Sequence, residues 1–255
     1  MSILVAGPCA IQSEAQAFEV ARYVLSKGCT IFRGGAYKGQ NRPIVNGVRE
    51  YLGLGDKAVK ILAKIQDMLN IPCSCDMQSV RQAEVLREYN ILYPQVGARN
   101  MDSLELLRQF NKIFKNTSSK IILKRGPSAT ISEWIGAAEH LGGPGKVILC
   151  ERGTVHFDRH DYTRYRLDFV GIAEVKTYHP DYTILVDPSH GSGNYRLVPL
   201  LTRSALTIAD GIMVEVDKHP TQSPTDAPQI IGFDDFDIIS NMVIGKYSDG
   251  GYNEL

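Results

Sequence analysis

Four residues far apart in the chain, Cys9, His190, Glu215 and Asp226, supply one thiol, one imidazole and two carboxyl groups. Such a mixed soft and hard donor set suits a first-row divalent ion such as Mn²⁺, Fe²⁺, Co²⁺ or Zn²⁺, whereas calcium and magnesium have little use for the sulfur. Each residue alone carries less, because a single cysteine after a strand is more often a small buried hydrophobe. A second set, Arg33, Lys38, Arg99, Lys124 and Arg152, is cationic. Five cations at one place repel one another unless an anion sits among them. The planar fork of Arg matches carboxylate or phosphate and Lys acts as a point charge, so the mixture suits a small ligand carrying both groups. The alternative is that these cations pair with loop carboxylates, with Glu151 beside Arg152 the obvious candidate.

The elements that must position these residues follow from apolar periodicity. Short apolar runs predict eight strands, over residues 3–6, 30–32, 71–74, 91–96, 120–123, 146–149, 183–186 and 211–214. Helical spacing predicts eight helices, over 14–25, 56–69, 80–89, 103–114, 131–140, 165–174, 197–208 and 233–242. Eight alternating units in a chain of 255 residues predict an α/β fold, a (β/α)₈ TIM barrel, with a doubly wound open sheet as the competitor. The placement of the polar residues favours the barrel, whose chemistry collects where strands end. Cys9 follows strand one, Arg33 and Lys38 strand two, Arg99 strand four and Arg152 strand six. Lys124 ends strand five, His190 follows strand seven and Glu215 ends strand eight, so no helix is expected to contribute. Strands seven, eight and one are neighbours in a closed barrel, and the loop carrying Asp226 can fold back over them.

Composition predicts one compact catalytic domain over residues 1–255, with 44% hydrophobic and 22% charged residues and no low-complexity tract. Lys plus Arg total 28 and Asp plus Glu total 28, so no net field favours nucleic acid or an anionic membrane. The start MSILVAGPCAIQ has no basic region, and its apolar run is too short for a signal peptide or membrane span, which predicts a cytoplasmic protein. The five cysteines are an odd number without C-x-x-C spacing, which argues against a disulfide framework and a zinc knuckle.

The segments GPCAIQSEAQ from Gly7, FRGGAYK from Phe32, QVGARNM from Gln95, ILKRG from Ile122, ILCERG from Ile148, DPSH from Asp187 and ADGIMVEV from Ala209 are together highly specific. Through them the chain resembles, nearly end to end, the 3-deoxy-D-arabino-heptulosonate-7-phosphate (DAHP) synthases of the short type I-beta group, whose relatives also make 3-deoxy-octulosonate-8-phosphate and sialic acids. The resemblance implies a transferase of the aldolase type, in which C3 of phosphoenolpyruvate attacks an aldehyde, water adds at C2, and phosphate leaves by C–O cleavage. It further implies that Cys9, His190, Glu215 and Asp226 hold the metal, Mn²⁺ first, with Fe²⁺, Co²⁺ or Zn²⁺ as alternatives. Cys9 also separates the chain from metal-independent octulosonate synthases, which carry Asn there. Arg33 and Lys38 are implied to contact the carboxylate end and bridging region of phosphoenolpyruvate, and Ala98, Arg99, Lys124 and Arg152 to hold its phosphate. Lys38, Cys9 and His190 are the implied catalytic residues, with Lys38 moving a proton or stabilising charge near C2. A homo-oligomer, dimer or tetramer, is implied as well, without an added regulatory or mutase domain.

The match breaks in three places. The family's loop after strand two reads like KPRTSPYSFQGLG, and its Arg-Thr pair binds the phosphate of erythrose 4-phosphate. Here that loop reads KGQNRPIVNGVREYLGLG, about five residues longer, with Gly39, Gln40 and Asn41 in place of Pro-Arg-Thr. The family's ERGIRTFE becomes ERGTVHFD, so a basic residue becomes Val155, and PCSCDMQS from Pro72 lacks the usual Thr-Glu pair. All three changes fall on the acceptor side or the rim. They predict conserved condensation chemistry with an altered aldehyde, in aromatic biosynthesis or a specialised pathway, with Asn41, Arg42 and Asp187 as candidate acceptor contacts. Two rival readings are a Schiff-base aldolase using Lys124 and a non-catalytic protein that only binds phosphoenolpyruvate.

Overall fold

The computed structural model describes residues 2–38, 51–157 and 162–245. Eight parallel strands close into a barrel in sequence order. They are β1 (Ile3–Gly7), β2 (Ile31–Arg33), β3 (Cys73–Met77), β4 (Tyr93–Val96), β5 (Ile121–Lys124), β6 (Val147–Glu151), β7 (Thr183–Val186) and β8 (Gly211–Glu215). Closure is made by β1 against β8, in register from Ile3 with Gly211 to Gly7 with Glu215. Gly211 is required at that seam, because a Cβ there would lie 2.2 Å from the carbonyl oxygen of Ile3. The predicted barrel is therefore the observed one, and the open sheet is excluded.

Side chains alternate across a strand, so the period of two sorts them into the barrel interior and the shell between sheet and helices. Val5, Ile31, Ile122, Ile148, Cys150, Leu185 and Met213 form one buried cluster inside the barrel. Their out-of-phase neighbours Leu4, Phe32, Leu123, Leu149, Ile184 and Ile212 belong to the larger cluster beneath the helices. Two residues beyond inward Ile31, Ile122, Cys150, Leu185 and Met213 stand Arg33, Lys124, Arg152, Asp187 and Glu215. The inward face thus continues, at the C-terminal end of each strand, from an apolar plug into a charged mouth.

Around the barrel lie α1 (Glu14–Ser26), α2 (Asp56–Leu69), α3 (Val80–Glu88), α4 (Leu104–Phe114), α5 (Ile131–His140), α6 (Phe169–Tyr178), α7 (Pro188–Ser192), α8 (Val198–Ala205) and α9 (Phe233–Gly245). The expectation that no helix contributes to the site is corrected here. His190 lies on the one-turn helix α7, capped by Asp187, whose carboxylate accepts from the His190 backbone N–H at 2.9 Å. Arg99 lies on a 3₁₀ turn, Ala98–Asn100. Such single turns are too short to leave a periodic signal. None of the described helices is long and apolar enough to cross a membrane.

The sixth helix starts at Phe169 rather than at the expected Tyr165. Asp168 caps it, accepting from the Gly171 N–H at 2.8 Å, and also pairs with Arg125 at 2.8 Å. Asp168→Ala is expected to cost about 1–2 kcal/mol in urea unfolding, the usual range for losing a helix cap. Burial alone raises the Asp168 carboxyl pKa, but the Gly171 N–H and Arg125 outweigh it and lower it below the ordinary 3.8. A lowered folded pKa stabilises above the unfolded value, so this contribution is lost as pH falls below about 3.8. The variant and the parent should therefore converge in stability in acid.

Candidate active site

A cavity of about 250 Å³ opens at the C-terminal mouth of the barrel, and Arg33, Lys38, Ala98, Arg99, Lys124, Arg152, His190 and Asp226 all line it. The sequence-predicted cations thus meet at one place with two of the expected metal ligands. A larger and more open depression of about 1150 Å³ lies against α1 and the loop after β8, and holds none of these residues. Chemistry belongs to the smaller cavity, because charged groups buried at its floor are costly unless a ligand or partner needs them.

Most floor charges are paired. Arg33 Nη1 donates to Glu215 Oε1 at 2.6 Å, and Gln229 Nε2 donates to Glu215 Oε2 at 2.7 Å. Lys124 Nζ lies 2.6 Å from Asp187 Oδ2, which also lies 2.7 Å from His190 Nδ1. Burial pushes the Asp187 carboxyl up, and His190 and Lys124 outweigh it, so it stays ionised. Burial, reinforced by Lys124, lowers the proton affinity of His190 against the opposite pull of Asp187. Burial also opposes ionisation of Glu215, but His190, Arg33 and Lys38 hold its carboxyl well below the usual range. Arg152 differs: it is buried, yet its Nη1 has no hydrogen-bond partner among the described residues.

The four expected metal ligands arrive as two pairs. Cys9 Sγ lies 3.7 Å from Asp226 Oδ2, and His190 Nε2 lies 3.8 Å from Glu215 Oε1. Among the described residues, no group of three or more His, Cys, Asp and Glu side chains is arranged to hold a metal ion. Two of these donors also contact protein cations, with Lys38 Nζ 3.2 Å from Cys9 Sγ and Arg33 paired with Glu215. Cys9 is 1% exposed, and burial and then Glu215 push its thiol up to about 12 against the opposing pull of Lys38 and Arg33. Burial lowers the proton affinity of Lys38, but Cys9, Asp76 and Glu215 outweigh it, so Lys38 carries its charge firmly.

Asp187, expected as an acceptor contact, is fully buried, with its carboxylate held by Lys124 and His190. One alternative pairing is corrected by the geometry. Glu151 does not pair with Arg152, because adjacent strand residues face opposite sides; it bonds Arg125 Nη1 at 3.1 Å in the shell outside the barrel. The expected acceptor contacts Asn41 and Arg42 lie outside the described residues. Sequence reasoning missed Thr225, whose hydroxyl is 3.2 Å from Cys9 Sγ, and Gln229 on Glu215. It also missed Asp76, which lines the cavity and accepts from the Ala36 N–H at 3.3 Å. The signal for Asp76 was its place at a strand end, hidden because the third strand was expected to stop at residue 74.

Comparison with known proteins agrees with this architecture. A solved DAHP synthase from Thermotoga maritima superposes with a TM-score of 0.87 at 30% identity, over 97% of this chain and 69% of the other. A truncated form of the Thermotoga maritima enzyme gives 0.84 at 29% identity, over 97% and 87%. In sequence, a phospho-2-dehydro-3-deoxyheptonate aldolase of Thermotoga maritima is 32% identical over 91% of this chain, which spans 66% of that protein. A 2-dehydro-3-deoxyphosphooctonate aldolase of a Geobacter species is 27% identical, over 91% of this chain and 87% of its own length. The DAHP synthetase I profile covers residues 1–247, and with this barrel and mouth the chain belongs to the DAHP synthetase I family.

Proposed function

We propose that the protein condenses phosphoenolpyruvate with an aldehyde, an aldose phosphate in the first instance, to give a 3-deoxy-2-keto sugar acid and phosphate. The observation that carries this reading is the meeting of Arg33, Lys38, Arg99, Lys124 and Arg152 in one small cavity, with Arg152 Nη1 unpartnered among the described residues. A buried guanidinium N–H without an acceptor is costly, and a phosphate oxygen supplies that acceptor. Arg33 and Lys38 receive the carboxylate end of phosphoenolpyruvate; Arg99, Lys124, Arg152 and the backbone of Ala98 receive its phosphate. The charged Lys38 offsets negative charge near C2, and it can pass a proton to the aldehyde oxygen as the carbon–carbon bond forms and recover one from the water that adds at C2.

The donor set of Cys9, His190, Glu215 and Asp226 fits a divalent ion in type. Its two contacts of 3.7 and 3.8 Å are near the roughly 3.5 Å between ligand atoms on one first-row ion. An ion held there, Mn²⁺ foremost, supplies Lewis acidity to the aldehyde oxygen. Asp187 fixes the His190 ring through Nδ1 and leaves Nε2 facing Glu215, as an outer partner does for a ligating histidine. The Schiff-base reading fits less well, because an imine-forming lysine needs a free lone pair and Lys124 Nζ is committed to Asp187.

The altered loop after β2 supports an acceptor other than erythrose 4-phosphate. A panel of phosphorylated and unphosphorylated aldehydes, assayed for phosphoenolpyruvate consumption with and without Mn²⁺, tests substrate and metal together. Phosphate release with at least one aldehyde, suppressed by a chelator, is the expected result. Release with none of them overturns the condensation, and turnover of erythrose 4-phosphate at ordinary synthase rates overturns the altered acceptor.

A further inference from the structure

Residues 162–168, leading into α6, are built as a strap. Thr154 and Arg166 exchange two backbone hydrogen bonds of 2.9 and 3.1 Å. The Arg164 N–H donates to Ser192 O at 2.8 Å, and Asn194 Nδ2 donates to Tyr162 O at 3.2 Å. Three glycines admit the strap at close range. A Cβ on Gly153 would lie 2.7 Å from the Tyr165 Cβ, one on Gly191 2.5 Å from Leu167 Cδ2, and one on Gly193 2.8 Å from the Arg164 Cβ. No side chain fits at those separations, and Gly153 and Gly193 also hold positive φ of 89° and 68°. The backbone of residues 164–167 is therefore fixed over the mouth by both neighbouring loops.

Into the cavity the strap sends Tyr165 and Arg164. The Tyr165 ring faces two guanidiniums, with Arg152 4.3 Å and Arg164 5.3 Å from its centroid. Stacking of this kind holds a guanidinium plane in place and leaves its N–H edges free to donate. The two arginines differ in depth, since Arg152 is buried whereas the Arg164 side chain is 38% exposed. Arg164 makes a single carboxylate contact among the described residues, to Asp226 Oδ1 at 3.6 Å. That is longer than the roughly 2.7–2.9 Å of a charge-assisted hydrogen bond, so the carboxylate does not commit the guanidinium, and the Tyr165 hydroxyl takes part of its donor capacity while leaving the rest of the fork for a ligand. With Arg33, Lys38, Arg99, Lys124 and Arg152 assigned to phosphoenolpyruvate, Arg164 is the lining cation left for a second ligand.

We infer that Arg164 sets acceptor specificity by binding an anionic end group, phosphate or carboxylate, of the aldehyde substrate. This rests on the condensation reading, and it explains how an acceptor is held where the loop after β2 lacks the family's Arg-Thr pair. Tyr165 is the positioning residue that keeps the Arg164 fork turned into the mouth.

The test assays the parent, Arg164→Gln and Arg164→Lys with phosphoenolpyruvate and matched aldehydes. These are erythrose 4-phosphate against erythrose, arabinose 5-phosphate against arabinose, and succinic semialdehyde against butyraldehyde. In Arg164→Gln, kcat/KM for the best anionic aldehyde should fall at least about thirtyfold, mainly through KM. Its neutral counterpart and KM for phosphoenolpyruvate should change less than about twofold. Arg164→Lys, which keeps the charge and loses the fork, should fall between, and it reads the same ratio if the glutamine variant does not fold. The phosphate and carboxylate arms identify the end group. Equal losses for charged and neutral aldehydes, a parent indifferent to the charge, or a loss confined to phosphoenolpyruvate overturns the inference while leaving the condensation standing. Absence of phosphate release by the parent with every aldehyde overturns the condensation, and the inference with it.

Discussion

Arg125→Leu is expected to destabilise the fold by about 3–5 kcal/mol, although Arg125 does not line the cavity. Its guanidinium is buried and donates to Glu151 at 3.1 Å, to Asp168 at 2.8 Å and, through Nε and Nη2, to the carbonyl of Ala129 at 3.0 and 2.9 Å. Removing it strands Glu151, which is 0% exposed, with the Gly153 N–H at 2.6 Å as its remaining partner among the described residues. The magnitude follows from the uncompensated charge rather than from lost packing, because leucine fills part of the volume. Burial already raises the Glu151 carboxyl above its ordinary 4.5, with Arg125 pulling it back, so the variant raises it further. A folded pKa above the unfolded one means that stability is lost as pH rises above about 4.5. The deficit of Arg125→Leu should therefore grow between pH 5 and 8, and adding Glu151→Gln should recover most of it. Urea unfolding across that range decides the matter. A loss below about 1 kcal/mol, or a deficit independent of pH, counts against a buried ion pair here.

The contrast between Arg125 and its neighbour Lys124 shows what was legible in the sequence. All eight strands and seven of the eight expected helices lie where periodicity places them, with ends displaced by at most a few residues. The strands were expected to end early because polar residues stop an apolar run, yet at a barrel mouth polar residues continue the strand. Arg33, Lys124 and Glu215 are strand residues in this sense, and Arg152 and Asp187 continue the same inward phase. Counting in twos from the apolar interior separates inward Lys124 and Arg152 from outward Arg125 and Glu151, and a pair between Glu151 and Arg152 breaks that count. Contacts across the mouth were not legible. Gln229 on Glu215, Thr225 beside Cys9 and Asp187 on Lys124 join loops from different strands, and no local period records such pairings. The sixth helix was misplaced because Tyr165 and Leu167, apolar enough to read as helical, are used to pack a strap onto glycines.

Cys9→Ala is expected to abolish high-affinity divalent metal binding and to lower kcat by at least about a hundredfold, with little loss of stability. Titration with Co²⁺ gives a readout apart from turnover: the parent should develop a near-ultraviolet thiolate-to-metal band, and the variant should not. The proton linkage sharpens the test. Without a metal, burial and then Glu215 push the Cys9 thiol up to about 12, so it is protonated at physiological pH. Binding through sulfur must expel that proton, and affinity should rise roughly tenfold per pH unit. Burial lowers the proton affinity of His190, and nearby cations hold the Glu215 carboxyl well below the usual range, so Cys9 dominates the slope above neutrality. The variant should bind weakly and with a slope near zero. Lys38, 3.2 Å from Cys9 Sγ, is a cationic competitor for the thiolate, so an ion arriving at the sulfur displaces an ammonium contact. Unchanged stoichiometry and affinity in Cys9→Ala would show that sulfur is not a ligand. A pH slope retained by the variant would assign the expelled proton to another group.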